Sequence, residues 1–325
     1  MILSDRQILH EIELGTIKLE PFRKECLGTN SYDVHLGKYI GTYKDEILDT
    51  KGRLRKKYSD RVELITQPYL NTEYLGFLLE TQAGSASENP LLDKRIRQAI
   101  NYGFDREKML KYLRNGIGKA ATSGFIPKGL PAFQEDFKGY SYQPQKAKEL
   151  LNESGYPFGK GLPEIRLSTT AQYVDLCEFI QHQLGELGIK VRLDVNPPAT
   201  HNELVAKSGL NFFRKSWVAD YPDAENYLSL FFSENFSPEG PNYTHFSSNE
   251  YDSLYRKSLS ETNDSLRYSL YHKMDSIIIA EAAVVPLFYD EVVRFVRNDV
   301  KGMGINAMNL LNLKKVKKGK TDAST

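Results

Sequence analysis

The chain has 325 residues, 40% of them hydrophobic and 26% charged, which suits one large or two ordinary globular domains with a real core. A formal net charge of +1 argues against a nucleic-acid or acidic-lipid partner. Two cysteines and six scattered histidines, none of the latter paired at i, i+4, supply neither a disulfide framework nor a metal-ligand spacing, so no metal is expected.

Taken from the N-terminus, Ser4 can cap a short helix over residues 5–14 that Gly15 ends, and Ile17 to Leu19 can form a strand. Met1 leads into Ser4-Asp5-Arg6-Gln7 without a cationic start, apolar block or cleavage site, so the chain as written is expected to stay cytoplasmic. The best apolar run, Ile277 to Val285, is short and holds Glu281, too little to span a bilayer.

Further along, Val62 to Thr66 and Glu73 to Leu79 read as strands flanking a loop at Pro68 to Thr72. Pro90 to Tyr102 and Asp105 to Leu113 read as helices, with Asp105 as an N-cap. Residues 119–142, punctuated by Pro127, Gly129, Pro131 and Gly139, read as a long irregular loop. Gln143 to Glu153 is a helix. Ile165 to Thr169, Tyr173 to Leu187 and Ile189 to Val195 form a right-handed β-α-β crossover, its helix striped by Leu176, Phe179, Ile180, Leu184 and Leu187. After a short helix at Glu203 to Lys207 come a buried strand at Leu210 to Phe213 and an apolar helix at Ala224 to Phe232. Helices at Glu250 to Leu259 and Ser265 to Ala283 precede strands at Val284 to Tyr289 and Val292 to Val296. Lys314 to Lys320 reads as a solvated basic tail.

Chemistry concentrates between the last strand and helix of that middle stretch, in Arg214-Lys215-Ser216-Trp217-Val218-Ala219-Asp220-Tyr221-Pro222-Asp223. Strand-to-helix turns of α/β proteins commonly carry ligand contacts. Trp217, the sole tryptophan, offers an apolar wall with one donor. Arg214 can fork onto a carboxylate, and Asp220 can take charge-assisted bonds from an ammonium. The same residues admit a plainer reading, in which Trp217 is core and Asp220 or Asp223 caps the following helix. Enzymatic motifs are missing: there is no Gly-x-Ser-x-Gly, phosphate-cradling glycine loop, Cys-x-x-Cys or His-Glu-x-x-His, and no cofactor is expected.

At Trp217-x-x-Asp220-Tyr221 the sequence resembles the family 5 extracellular solute-binding proteins, the oligopeptide- and dipeptide-binding components of ABC importers. Asp93 to Gly103 with Asp105-Arg106-Glu107, Glu186 to Val191 and Pro286 to Tyr289 extend the likeness over about residues 60–313. The resemblance implies an α/β fold of the type II periplasmic-binding kind, non-catalytic, with short peptides as ligands and a permease as partner. It matches Asp220 to the anchor of a peptide's α-amino group, Trp217 to the aromatic of the cleft, Tyr221 to its neighbour, and Arg214 to a carboxylate anchor. The family is periplasmic or lipid-anchored. Residues 49–208 would build a second lobe, 209–313 the returning part of the first, and 314–325 a disordered tail.

Residues 1–48 look different. Met1 to Leu9, Ile17 to Phe22 and Leu27 to Gly37 resemble the opening of deoxycytidine triphosphate deaminases, without the later parts that hold nucleotide and catalytic glutamate. A junction between about residues 41 and 55 is therefore expected, joining two unrelated genes. On this reading one jaw of the binding clamp is incomplete, its strand edges and an apolar face stay exposed, and peptide binding is impaired. The alternatives are a deaminase acting through the N-terminal fragment and a fusion without function.

Overall fold

The computed structural model describes residues 12–14, 60–80 and 89–319. The chain divides into two compact units, Met1–Ile47 and Leu48–Thr325. Of the first, Ile12 and Glu13 are helical; the rest of the deaminase-like stretch, with its strand at 17–19 and the junction at 41–55, lies outside the described residues.

The second unit is built on a six-stranded mixed sheet. Its strands are β1 (Val62–Phe77), β2 (Lys119–Ala120), β3 (Ile165–Thr169), β4 (Val191–Val195), β5 (Phe212–Val218) and β6 (Val284–Arg297), in the spatial order β2-β6-β1-β5-β3-β4. β1 runs antiparallel to both β5 and β6, while β3 pairs parallel with β4 and β5. The strands β5 and β6, expected to return to a first lobe, thus pair directly with β1.

Where two strands and a loop at Pro68 to Thr72 were expected, β1 is continuous. Its register against β6 slips between Pro68 and Thr72, so the turn-forming residues are taken up as a bulge. The bulge's backbone finds partners elsewhere: Leu70 N donates to Ala307 O at 2.9 Å, and Ala219 N donates to Leu70 O at 2.9 Å.

Alternation along β1 separates two cores. Leu75 and Phe77 join Phe104, Leu167, Ile180, Leu184 and Phe212 on one face, whereas Tyr74 joins Phe125, Tyr227, Phe231, Met274 and Ile278 on the other. Gly76 lies opposite Phe213, and a Cβ there would stand 2.5 Å from that ring, so the two strands approach only with glycine in place.

The first core is covered by α1 (Lys94–Tyr102), α2 (Arg106–Leu113), α3 (Pro144–Glu153) and α4 (Val174–Glu186), with the expected β3-α4-β4 crossover intact. Asp105 caps α2, its side chain accepting from Lys108 N at 3.0 Å. The recognisable motif around Arg97, Asn101 and Arg106 serves structure: Arg97 donates to the carbonyls of Leu91, Leu92, Glu281 and Ala282, and Asn101 to those of Arg97 and Val284. These bonds staple α1 to the start of β6.

A short α5 (Pro198–Ala206) precedes β5, and α6 (Glu225–Leu228) follows it, continued by a 3-10 turn at Ser229–Phe231. The second core is completed by α7 (Asn249–Ser260) and α8 (Asp264–Ala280). The stretch at 119–142 opens with β2, which pairs with β6 where only loop was expected; the rest is irregular as expected, yet not loose. Phe125 N donates to Asp275 Oδ1 of α8 at 2.6 Å, and Tyr289 OH donates to Gly124 O at 2.6 Å.

The tail departs from expectation. Lys317–Lys318 form β8 against β7 (Val300–Lys301), so the stretch to residue 319 is ordered where a disordered tail was expected; 320–325 lie outside the described residues. Phe295, Ile305, Leu310, Leu311 and Leu313 are exposed beside it.

Candidate functional site

β5 is longer than its apolar sequence predicted, so Trp217 sits near the end of a strand rather than on the turn after it. Period-two alternation then sends Arg214 and Trp217, three apart, to opposite faces. Their contacts agree. Trp217 packs at the border of the second core, and Arg214 meets Glu73 and Tyr173 on the other side.

Asn226 organises the Trp217 side. It is buried on α6, and its Oδ1 accepts from Trp217 Nε1 at 2.9 Å and from Asp220 N at 3.1 Å. Its Nδ2 donates to Asp220 Oδ2 at 3.3 Å. One amide thereby fixes both the indole and the carboxylate, while the Asp220 side chain stays exposed at the mouth of the turn. Asp220 does not cap α6. Asp223 comes nearer that role, its Oδ1 accepting from Glu225 N at 2.9 Å.

Tyr221 is 45% exposed and donates its hydroxyl to Glu225, which also accepts from Tyr255. Burial first, then the bond to Glu225, pushes the Tyr221 hydroxyl up to about 12, so it stays a donor at physiological pH.

Arg214 is built differently from an open anchor. It is 8% exposed, and its guanidinium forms a buried ion pair with Glu73, itself 3% exposed. Its centre lies 3.1 Å from the centroid of the Tyr173 ring. Glu73 Oε1 accepts from Asn71 Nδ2 at 3.1 Å; the same nitrogen reaches Asp290 Oδ2 at 3.3 Å, and Asp290 Oδ1 accepts from Arg114 at 2.8 Å. Two ion pairs, Arg214–Glu73 and Asp290–Arg114, therefore lie across β5, β1 and β6 to the end of α2, their carboxylates bridged by the Asn71 amide. Burial lifts the Glu73 carboxyl above the ordinary carboxylate range, against the pull of Arg214 and Asn71.

His201 of α5 holds the backbone here. Its Nε2 donates to Arg214 O at 2.8 Å, and burial holds its pKa below the usual imidazole value, so the ring is neutral. Its Nδ1 is then the acceptor for Ser168 Oγ at 3.1 Å, which in turn accepts from Asn196 Nδ2 at 3.0 Å. Ser168 also lines a cavity of about 360 Å³ with Asn89, Arg166, Asp194 and Phe212, away from Trp217 and Asp220.

Sequence reasoning found Trp217, Asp220, Tyr221 and Arg214 but passed over Glu73, Asn226, Tyr173 and Asn71. A carboxylate and an amide at alternate positions just before the apolar end of β1, Tyr74 to Phe77, were the available signal for Glu73 and Asn71. An amide within the apolar run of α6 was the signal for Asn226. Among the described residues no group of His, Cys, Asp and Glu could hold a metal ion.

Comparison with known proteins adds to this geometry. Residues 39–238 match the family described as "Bacterial extracellular solute-binding proteins, family 5 Middle". The glutathione-binding protein GsiB of Salmonella choleraesuis (strain SC-B67) is 29% identical over 252 residues, covering 75% of this chain and 47% of that protein. The chain therefore spans about half the length of the curated relatives it matches. Among solved structures, HbpA2 from Haemophilus parasuis superposes with a TM-score of 0.73 at 20% identity, covering 83% of this chain and 52% of that one. The periplasmic binding protein DppA from Helicobacter pylori, in complex with peptide STSA, gives 0.69 at 22% identity, covering 82% and 51%. The fold is thus the α/β architecture of type II periplasmic peptide-binding proteins.

Proposed function

Because this chain belongs to the family 5 bacterial extracellular solute-binding proteins, we propose that it is a peptide-binding component of an ABC importer, with a permease as its partner. One observation carries the reading. Asp220 presents an exposed carboxylate whose position is fixed, through Asn226, to the indole of Trp217. A fixed anion beside an apolar wall suits the ammonium end of a short peptide and a neighbouring side chain. Tyr221 stands next to it with its ring partly exposed, its hydroxyl hydrogen given to Glu225.

Nothing in this site asks for a cofactor, and its acids are engaged as hydrogen-bond acceptors rather than paired for proton transfer. No helix among the described residues is long and apolar enough to cross a membrane. The family is described as extracellular, which supports a binding step outside the cytoplasmic membrane.

Calorimetry with a mixed library of short peptides tests the proposal. Saturable binding at micromolar affinity or weaker is expected. Asp220→Ala should weaken whatever binding is measured by about tenfold or more, the loss of one charge-assisted anchor. Trp217, the sole tryptophan, reports the same event through its fluorescence. Unchanged affinity in Asp220→Ala would remove the assignment.

A second reading concerns the N-terminal unit. Its boundary at 47/48 falls inside the junction interval of residues 41–55, which fits a separate N-terminal fragment, although the family 5 match already begins at residue 39. Such a fragment lacks the glutamate that the deamination needs, so no ammonia should be released from deoxycytidine triphosphate. Measurable release would favour the hydrolase instead.

A further inference from the structure

Arg214 was expected to hold a ligand's carboxylate, yet a carboxylate already sits there. We propose that Glu73 sets the specificity of this position: it gives Arg214 a carboxylate of the protein's own, so that a bound peptide is accepted without presenting its carboxyl end there. The proposal rests on the peptide-binding reading and adds to it which end of the ligand the protein does not need.

Four features support it. Glu73 is held at both oxygens, by Arg214 on one and Asn71 on the other, so it cannot swing away without breaking two buried bonds. Asn71 is tied onward to Asp290, and Asp290 to Arg114, so the pair is braced from β6 and α2. The guanidinium is stacked over Tyr173 on one face, and its backbone is fixed by His201. Finally, a second carboxylate brought to this place would meet Glu73, and two like charges in a buried setting repel strongly.

Arg214 Nε and Asn71 Oδ1 are buried without a hydrogen-bond partner, so the pair itself leaves no second guanidinium fork open to a ligand carboxylate.

The experiment uses the full chain, with trialanine and trialanine amide as paired probes in calorimetry, and acetate against matched chloride in thermal unfolding. In the unaltered protein the two peptides should bind within about threefold of each other, and acetate should not raise the melting midpoint. Glu73→Gln should come to prefer the free acid by about tenfold or more, since Arg214 then lacks its counter-ion. Glu73→Ala should be stabilised by acetate and not by chloride, and Glu73→Ala combined with Arg214→Met should lose that rescue.

An unaltered protein that prefers the free acid by about tenfold, and loses the preference in Glu73→Gln, overturns the proposal; Glu73 would then only position Arg214 for a ligand carboxylate. So would acetate stabilising the unaltered protein as strongly as Glu73→Ala. If Glu73→Ala does not fold, the peptide pair on the unaltered protein and Glu73→Gln still decides. If neither peptide binds either protein, the peptide-binding reading fails, and acetate rescue alone then decides whether Glu73 is the resident counter-ion.

Discussion

Replacing Arg106 by methionine should lower the free energy of unfolding by about 4 kcal/mol, a large part of the 5–15 kcal/mol typical of a domain. The side chain is 2% exposed at the start of α2. Its Nε donates to Pro286 O at 2.6 Å, and its terminal nitrogens donate to Asn101 O at 2.8 Å and Asn101 Oδ1 at 3.1 Å. The guanidinium also lies 4.3 Å from the centroid of the Phe104 ring. These bonds go to carbonyls, and burial pushes the guanidinium pKa down to about 9. The cation is thus held by dipoles and a π-face, at a real desolvation cost.

Methionine fills the stem's volume but leaves those acceptors dry, at about 1–3 kcal/mol for each unsatisfied group. Arg106→Lys, a single donor centre on a shorter stem, should cost roughly half as much. Urea unfolding monitored by circular dichroism measures both. A loss below about 1 kcal/mol for methionine would mean that water or a rearranged Asn101 satisfies the acceptors.

The second large effect is a pH dependence centred on Asp275. Its carboxylate, 5% exposed on α8, faces the loop at 119–142 and accepts from Phe125 N at 2.6 Å and Ile126 N at 3.5 Å. Gly124 makes the approach possible, because a Cβ there would lie 1.8 Å from Asp275 Oδ2. The neighbouring titratable groups are the hydroxyls of Tyr251 and Tyr289, whose own pKa values the acid raises further beyond burial. Burial pushes the Asp275 carboxyl from 3.8 up to about 6, and the two backbone N–H groups only partly oppose it.

Linkage sets the sign. Between those two values the folded protein binds a proton that the unfolded chain does not, so this group's contribution to stability is greatest below about pH 4. It is lost as pH rises through about 6. The span of roughly two pK units amounts to about 3 kcal/mol. Asp275→Asn keeps an acceptor for Phe125 N–H and cannot titrate. The stability of the unaltered protein minus that of the variant should therefore climb by about 3 kcal/mol from pH 7 to pH 4, whatever constant offset the amide introduces. Chemical unfolding at several pH values gives that difference directly. A flat curve would show that Asp275 is hydrated or paired in solution.

Arg106 and Asp275 also show how far the sequence could be read. Arg106 belongs to a motif legible as a helix pair, and Asp105 beside it was legible as a cap. That Arg106 is a structural pin depends on Pro286, 180 residues away, and no local pattern carries that distance. The β3-α4-β4 crossover was legible because its apolar stripe and strand lengths are local properties. The break expected at Pro68 to Thr72 was not realised. Turn residues there are absorbed as a bulge, since Ala219 and Ala307 satisfy the backbone that a loop would have given to water.

The site divides in the same way. Composition and local pattern determined the α/β class, the lack of metal-ligand spacing, and a carboxylate and an indole close together at the end of a strand. Tertiary structure decided what each of these meets. Asn226 ties Trp217 to Asp220 because α6 folds back over the end of β5, and Arg214 is occupied because β1 sets Glu73 beside it. Glu73 and Arg214 lie 141 residues apart, and their bond exists only once the sheet has formed. Propensity and periodicity act over a few residues, whereas the partner of a buried charge is chosen by strand order and register.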